Sequence, residues 1–253
     1  TYLSFTKTLL VAPAMDLDMW KNKTTQKNLN ELKNNRAIII PPEHGELASG
    51  LVGDGRMAEP ESIVSLMRNH LKKDLPLTGT KALVNAGPTY ESIDPVRFIG
   101  NRSSGKMGIA IAECLASKGA EVTLVLGPVS EKVSNKEIKV ILVETGEEMF
   151  EEMNSHFPKS EVVVCAAAVA DYRPKKSSSH KLKKQNEIML ELTKTKDILF
   201  ELGRKKKKQF LVGFALETED LIKNAEQKLL EKNLDLIVAN QITKDNPAFG
   251  SDK

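Results

Sequence analysis

Between residues 80 and 240 the chain alternates short, almost wholly apolar runs with longer segments whose apolar residues return every three or four positions. The runs are KALVNA (81–86), EVTLVLG (121–127), KVILVE (139–144), EVVVCAAA (161–168), FLVGFA (210–215) and DLIVAN (235–240). A strand with one wet face alternates apolar and polar residues, whereas a strand covered by helices on both faces is apolar throughout. The pattern therefore predicts an α/β domain with a Rossmann-like, wound, mostly parallel sheet. Three intervening helices are punctuated. Over 105–118, Ile109, Ala112, Leu115 and Ala116 recur at helical spacing before Gly119, which suits a left-handed C-terminal cap. Thr145 and Glu148 have the spacing of a capping box for a helix through Asn154. The third spans 219–232, with Leu221, Ala225, Leu229 and Leu230 assigned to one face.

Upstream, 9–12 and 37–40 are strand-like runs flanking a polar helix, and 60–73 reads as a closing helix. DLPLTG (74–79) sets a proline and a glycine between two periodic stretches, as a linker does. The expected organisation is a first domain at 1–75, a linker at 76–79 and a second domain at 80–253. The first would be marginal alone. The chain starts in a strand-like run without an initiator Met and stops in a loop, so a piece of a longer protein is expected.

Composition narrows the classes. With 40% hydrophobic and 28% charged residues among 253, the chain is globular in character rather than disordered. A net charge of +3, 5% aromatics and the lack of any RNA- or DNA-reading motif argue against nucleic acid as partner. The basic run 204–208 follows an apparent helix, where cations suit the C-terminal dipole. No apolar run approaches the roughly 18 residues of a membrane span, and no signal peptide opens the chain, so no membrane partner is expected. Cys114 and Cys165 lie among apolar residues and read as buried thiols, which implies a reducing, cytoplasmic compartment.

Four stretches carry candidate chemistry. GNRSSGKM (100–107) places Gly100, Gly105 and Lys106 at P-loop spacing, but Met107 stands where a hydroxyl should meet Mg²⁺. Its loop is also about a dozen residues too long after the strand. What remains is a strand end leading into a helix N-terminus, where wound sheets bind anions, with donors from Asn101, Arg102, Ser103, Ser104 and Lys106. AAAVADYRPKK (166–176) ends a strand in small residues that let something flat approach, followed by Asp171; close helix packing is the alternative. HKLKKQ (180–185) offers Lys181, Lys183 and Lys184, either a solvated face or a triphosphate contact. Lys228 and Lys232 share a helix face next to the strand closed by Gly213 and Phe214. All four are expected on one rim of the sheet.

Together AGPTYESIDPVRFIGNRSSGKMG, AAAVADYRP, KLKK, LELTKTKDIL, GFALETE and KNLDLIVAN resemble, in order, the bacterial phosphopantothenate-cysteine ligase family over residues 80–252. PAMDLDMW and GELASGLVGDGRMAEP resemble the C-terminal part of the phosphopantothenoylcysteine decarboxylase family, flavodoxin-like flavoproteins fused before the ligase in many bacteria. The resemblance implies coenzyme A biosynthesis: 4'-phosphopantothenate and CTP form an acyl-cytidylate and pyrophosphate, and L-cysteine then displaces CMP. It further implies Mg²⁺ with CTP, FMN in the decarboxylase part of a full-length protein, and a homodimer. It assigns Asn101 to positioning the acyl group, and Arg102 to Lys106, Gly105 included, to gripping the substrate's phosphate or carboxylate. Ala166, Ala167 and Asp171 would hold the nucleotide, and Lys196, Asp197, Ile198, Leu199 and Phe214 would complete its pocket. Lys181, Lys228 and Lys232 would meet the triphosphate, with Lys181 catalytic.

Two positions depart from the decarboxylase pattern. Asp16 stands where the family has a substrate-binding Asn, and Ser49 where it has a catalytic Cys, a far stronger acid than a serine hydroxyl. With the flavin-binding half and its His also missing from this sequence, the chain alone is expected not to decarboxylate. Two other functions stay open on the residues themselves. An NAD(P)-dependent oxidoreductase would need G-x-G-x-x-G after the first strand, where NAGPTYE has one glycine. A non-catalytic nucleotide-binding module would use the same pocket.

Overall fold

In the computed structural model the apolar runs of the first half pair as short parallel strands, β1 (Leu10–Val11) and β2 (Ile38–Ile39). Between them lie α1 (Leu17–Lys21), capped by the Asp16 carboxylate accepting from Leu17 N–H, and α2 (Lys23–Asn34), capped by Asn22. The polar α2 buries Leu29. A hairpin of β3 (Glu43–Glu46) and β4 (Val52–Arg56) precedes α3 (Pro60–Lys72). This flavodoxin-like part forms one unit, residues 1–75, and residues 76–253 form a second. The structure describes residues 6–72, 75–183, 188–217 and 219–241.

In the second unit the six apolar runs form one sheet. They are β5 (Lys81–Ala86), β8 (Glu121–Leu126), β9 (Lys139–Leu142), β10 (Val162–Cys165), β13 (Phe210–Glu217) and β14 (Leu236–Gln241). All neighbours are parallel, in the order β14-β13-β10-β5-β8-β9. Chain order thus runs outward in both directions from β5 and β10. This is the Rossmann-like order, and ligands bind in the crevice beyond the carboxyl ends of the two strands where it reverses.

Residues of opposite parity on β5 feed two cores. Ala82, Val84 and Ala86 pack with Ile109, Ala112 and Ala116 of α4 (Lys106–Ser117). On the other face Leu83 joins Met149 and Met153 of α5 (Gly146–His156) and Leu202 of α6 (Ile198–Lys205). Thr145 and Glu148 make the full capping box of α5, and Gly119 takes a φ of +98° just after α4. Two short hairpins that the apolar pattern does not reveal sit in the connections. They are β6 (Tyr90–Ser92) with β7 (Phe98–Gly100), and β11 (Tyr172–Pro174) with β12 (Leu192–Lys194).

Two expectations need correction. On α7 (Leu221–Glu231), Ala225 is buried and Leu229 packs on the second core, but Leu230 is 77% exposed. Nine residues at about 100° each place Leu230 opposite Leu221, not beside it. Cys114, expected buried, is exposed: it lies two positions from both Ala112 and Ala116, and those two take the inner face. Among the described residues no helix is long and apolar enough to cross a membrane.

The seating of α4 depends on Gly108. A Cβ there would lie 2.5 Å from the Ala86 Cβ and 3.1 Å from the Asn85 carbonyl oxygen. We expect Gly108→Ala to destabilise the protein by about 1–3 kcal/mol, measured by urea unfolding, because overpacking against a strand outweighs the gain in helix propensity.

Candidate functional site

The segment that follows β10 leaves the sheet with backbone groups that have to be satisfied elsewhere. Ala167 N–H donates to the Asn85 side-chain oxygen at 2.9 Å, Ala168 N–H to the Gly87 carbonyl at 2.9 Å and Ala170 N–H to the Thr89 hydroxyl at 3.0 Å. The carbonyl of Val169 accepts from the Asn101 amide at 2.9 Å. Thr195 donates its hydroxyl to the Ala170 carbonyl and its N–H to the Asp171 carbonyl. Asn85 and Thr89 are almost wholly buried, so their side-chain oxygens are shielded from water, whereas Asn101 is exposed.

The fastened segment, 166–171, is a wall between two cavities. One, of about 570 Å³, is lined by Asp171, Lys196, Asp197, Ile198, Leu199, Phe214, Lys228 and Lys232, with Asn85 and Cys165 also on its lining. The other, of about 620 Å³, is lined by Asn101, Arg102, Ser103, Ser104, Gly105 and Lys106 together with Ala166 and the wall. Five residues line both: Ala167, Val169, Asp171, Phe214 and Lys228. Three of the four stretches singled out in the sequence thus meet beyond the carboxyl ends of β5, β10 and β13.

On the side of the larger cavity the loop prepares the start of α4. Ser103 and Ser104 hydroxyls accept from the N–H groups of Gly105 and Lys106 at 3.3 and 3.4 Å. Gly105 caps the helix at φ +75°, with Val129 2.9 Å from where a Cβ would stand. The run from β5 to α4 is long because it holds the β6–β7 hairpin, a geometry no P-loop has.

The smaller cavity is polar and carries fixed charge. Lys232 Nζ lies 2.7 Å from the Asp197 carboxylate, whose other oxygen caps α6 by accepting from Phe200 N–H at 3.0 Å. Lys228 Nζ donates to the Phe214 carbonyl at 2.7 Å. Lys196 pairs with Glu147 and lies 4.7 Å above the Phe150 ring. Burial, reinforced by Asp197 and partly offset by Lys232, pushes the Cys165 thiol up to about 12. It is protonated at neutral pH and is no nucleophile. Among the described residues no group of three or more His, Cys, Asp or Glu side chains is placed to hold a metal ion.

This arrangement has relatives. Residues 77–253 match the model of the DNA/pantothenate metabolism flavoprotein C-terminal domain, and residues 2–72 match the Flavoprotein model. The chain belongs to the DNA/pantothenate metabolism flavoprotein family. It is 45% identical over 255 residues to the coenzyme A biosynthesis bifunctional protein CoaBC of Bacillus subtilis, covering 100% of this chain and 63% of that protein. It is 50% identical over 256 residues to a cysteine/cysteine sulfinic acid decarboxylase of an unknown prokaryotic organism, covering 99% of this chain and 71% of the other. The solved C-terminal domain of a CoaBC protein is 47% identical with a TM-score of 0.58, over 65% of this chain and 78% of that one. A DNA/pantothenate metabolism flavoprotein from Streptococcus pneumoniae is 27% identical with a TM-score of 0.59, over 66% and 85%. The chain spans about three fifths of the length of the bifunctional proteins from Bacillus subtilis and Haemophilus influenzae.

Not every residue expected at the site of this family member is on the cavity walls. Lys181 and Lys183 are exposed and line neither cavity, and Lys184 lies outside the described residues. Their stretch is fastened to the turn between β6 and β7 instead. Asp94 accepts from Leu182 N–H at 3.1 Å and from the N–H groups of Val96 and Arg97, and the Arg97 guanidinium donates to the Leu182 carbonyl at 2.8 Å. In the first unit, Ser49 is exposed in the β3–β4 turn and Asp16 is occupied as the cap of α1. Asn85, Thr89, Asp94 and Thr195 escaped sequence reasoning. Only Asp94 left a signal there, the Asp-Pro pair that favours a side chain bonding its own turn.

Burial alone would raise the Asp94 carboxyl, but hydrogen bonds from Val96, Leu182 and Arg97 hold it down at about 2, below the ordinary aspartate value of 3.8. Its contribution to stability is therefore complete above about pH 4 and is lost as the pH falls toward 2. We expect the protection of Leu182 N–H, its hydrogen exchange relative to the intrinsic rate at each pH, to fall across that window in the wild type. In Asp94→Asn that protection should be low and flat from neutral pH down to acid.

Proposed function

We propose that residues 76–253 ligate 4'-phosphopantothenate to L-cysteine at the expense of CTP, through an acyl-cytidylate. The observation that carries the reading is the common wall: two cavities, each with the charge pattern of one anionic substrate, touch along 167–171, Phe214 and Lys228. CTP occupies the smaller cavity, with its base toward Ile198, Leu199 and Phe214 and its phosphates toward Lys228 and Lys232. Phosphopantothenate occupies the larger one, its anionic groups facing the donors of 101–106 and the N-terminus of α4.

The substrate carboxylate then meets the α-phosphorus over the wall. An oxygen–phosphorus bond forms, the bond to the β-phosphate breaks, and pyrophosphate leaves with its charge met by the two lysines. Asn101, held by Val169, turns the acyl group toward the nucleotide. In the second half the cysteine amine attacks the acyl carbon, CMP departs with the bonding pair and the amine gives up a proton. Lys181 lines neither cavity, so the phosphate contacts fall to Lys228 and Lys232.

The wall fits Mg²⁺ only as a companion of the triphosphate. Asp171 would offer it a carboxylate, Asp197 is engaged by Lys232, and phosphate oxygens and water would supply its other ligands. Bound there, the ion would neutralise charge on the leaving pyrophosphate. FMN is a different case. A Cβ on Gly53 would meet Leu17 and one on Gly55 the Met15 carbonyl, so these two glycines face their own chain and do not form a flavin cradle. We therefore assign FMN-dependent decarboxylation of the product to a full-length protein, outside the chemistry of the described residues. A second copy of the chain is the partner we assign to the neighbouring β6–β7 and β11–β12 hairpins, on which Phe98, Tyr172 and Leu192 are about half exposed.

The reading is tested on the intact chain by supplying 4'-phosphopantothenate, Mg²⁺ and either CTP or ATP without cysteine and measuring pyrophosphate. Release with CTP is expected, and Lys228→Gln should lower it by about 100-fold. No release with either nucleotide would return the protein to a non-catalytic nucleotide-binding module.

A further inference from the structure

Asp197 is an unexpected neighbour for a triphosphate. Its carboxylate faces the same cavity as Lys228 and Lys232, and cannot swing away with a departing lysine because its other oxygen is tied to the N-terminus of α6. A polyanion entering this cavity has to draw Lys232 from a fixed carboxylate and then remain beside that negative charge. The pair is only partly shielded, with the Asp197 side chain 49% exposed and Lys232 21%, so water weakens the effect without removing it. Both charges are felt at the cavity floor, where Asp197 raises the Cys165 thiol and Lys232 opposes it.

A triphosphate carrying Mg²⁺ has roughly two fewer negative charges than the free nucleotide and suffers correspondingly less from a nearby carboxylate. We propose that Asp197 is a specificity-determining residue that, by holding Lys232 and placing a fixed negative charge on the lining of the smaller cavity, makes this cavity prefer the Mg²⁺-complexed triphosphate over the metal-free one. The inference rests on the nucleotide assignment above and adds to it which ionic form is selected. The preference comes from the protein's own charge rather than from a protein-held metal centre.

The test is calorimetric titration of CTP into the intact chain, once with EDTA and once with excess MgCl₂. Wild type is compared with Asp197→Asn and Asp197→Ser, two variants that keep a competent helix cap. Both variants should tighten metal-free CTP by about tenfold and the Mg²⁺ complex by only about threefold, narrowing the preference. Asp197→Glu, which restores the charge, should restore the preference. A wild-type protein that binds CTP while the variants leave its preference unchanged within about twofold overturns this inference and spares the nucleotide assignment. Variants that weaken only the Mg²⁺ complex also overturn it, because Asp197 would then be a ligand of the metal. A wild type that binds CTP in neither solution removes the nucleotide assignment, and this inference with it.

Discussion

Where β10 ends, the chain has to cross the open edge of the sheet while its backbone N–H and C=O groups are still inside the protein. Main-chain partners satisfy only part of this: Ala166 N–H donates to the Asn85 carbonyl, Ala168 N–H to the Gly87 carbonyl, and the Asp171 carbonyl accepts from Thr195 N–H. The rest falls to side chains of four residues distant in sequence from the segment: Asn85, Thr89, Asn101 and Thr195. An unsatisfied buried backbone group costs about 1–3 kcal/mol, so the ties decide which path the segment takes. The small side chains of Ala166, Ala167 and Ala168 follow from the same constraint, because the wall must be thin enough to serve two cavities at once. Close approaches elsewhere support it. A Cβ on Gly127 would fall 1.9 Å from the Pro88 carbonyl, so the chain entering the β6–β7 hairpin rests directly on the end of β8.

How much of this could be read from residues alone depends on the range of the physics involved. The sheet was legible because each strand is an apolar run of four or more residues; burial on both faces accounts for the inner strands, whereas the edge strands β9 and β14 are apolar in sequence but largely exposed. The box at Thr145 and Glu148 and the cap at Gly119 were legible because capping acts within three or four residues. The hairpins were not, since strands of three residues lying over a loop show no period. The faces of Cys114 and Leu230 went wrong for another reason: apolar company in sequence says nothing about azimuth, and only α4 and α7 seated on the sheet decide which side is inner. The site divided the same way. Residues 101–106, Lys228 and Lys232 could be picked out by type and spacing, whereas Thr89 and Thr195 are ordinary threonines until the fold brings them to one backbone segment.

The four ties also determine which part of the shared wall is held from which cavity. Asn101 holds Val169 from the larger cavity, and Thr195 holds Ala170 and Asp171 from the side of the smaller one, so consecutive residues answer to opposite neighbours. An occupant that draws the Asn101 amide toward itself releases the Val169 carbonyl, and the next two residues belong to the wall of the other cavity. Thr89 and Asn85 meanwhile anchor the segment to the sheet and do not yield, because both are buried and hydrogen-bonded. Whatever play the wall has is therefore confined to about two residues of backbone. It needs no displacement of a strand, and in a close-packed sheet that is the motion least available.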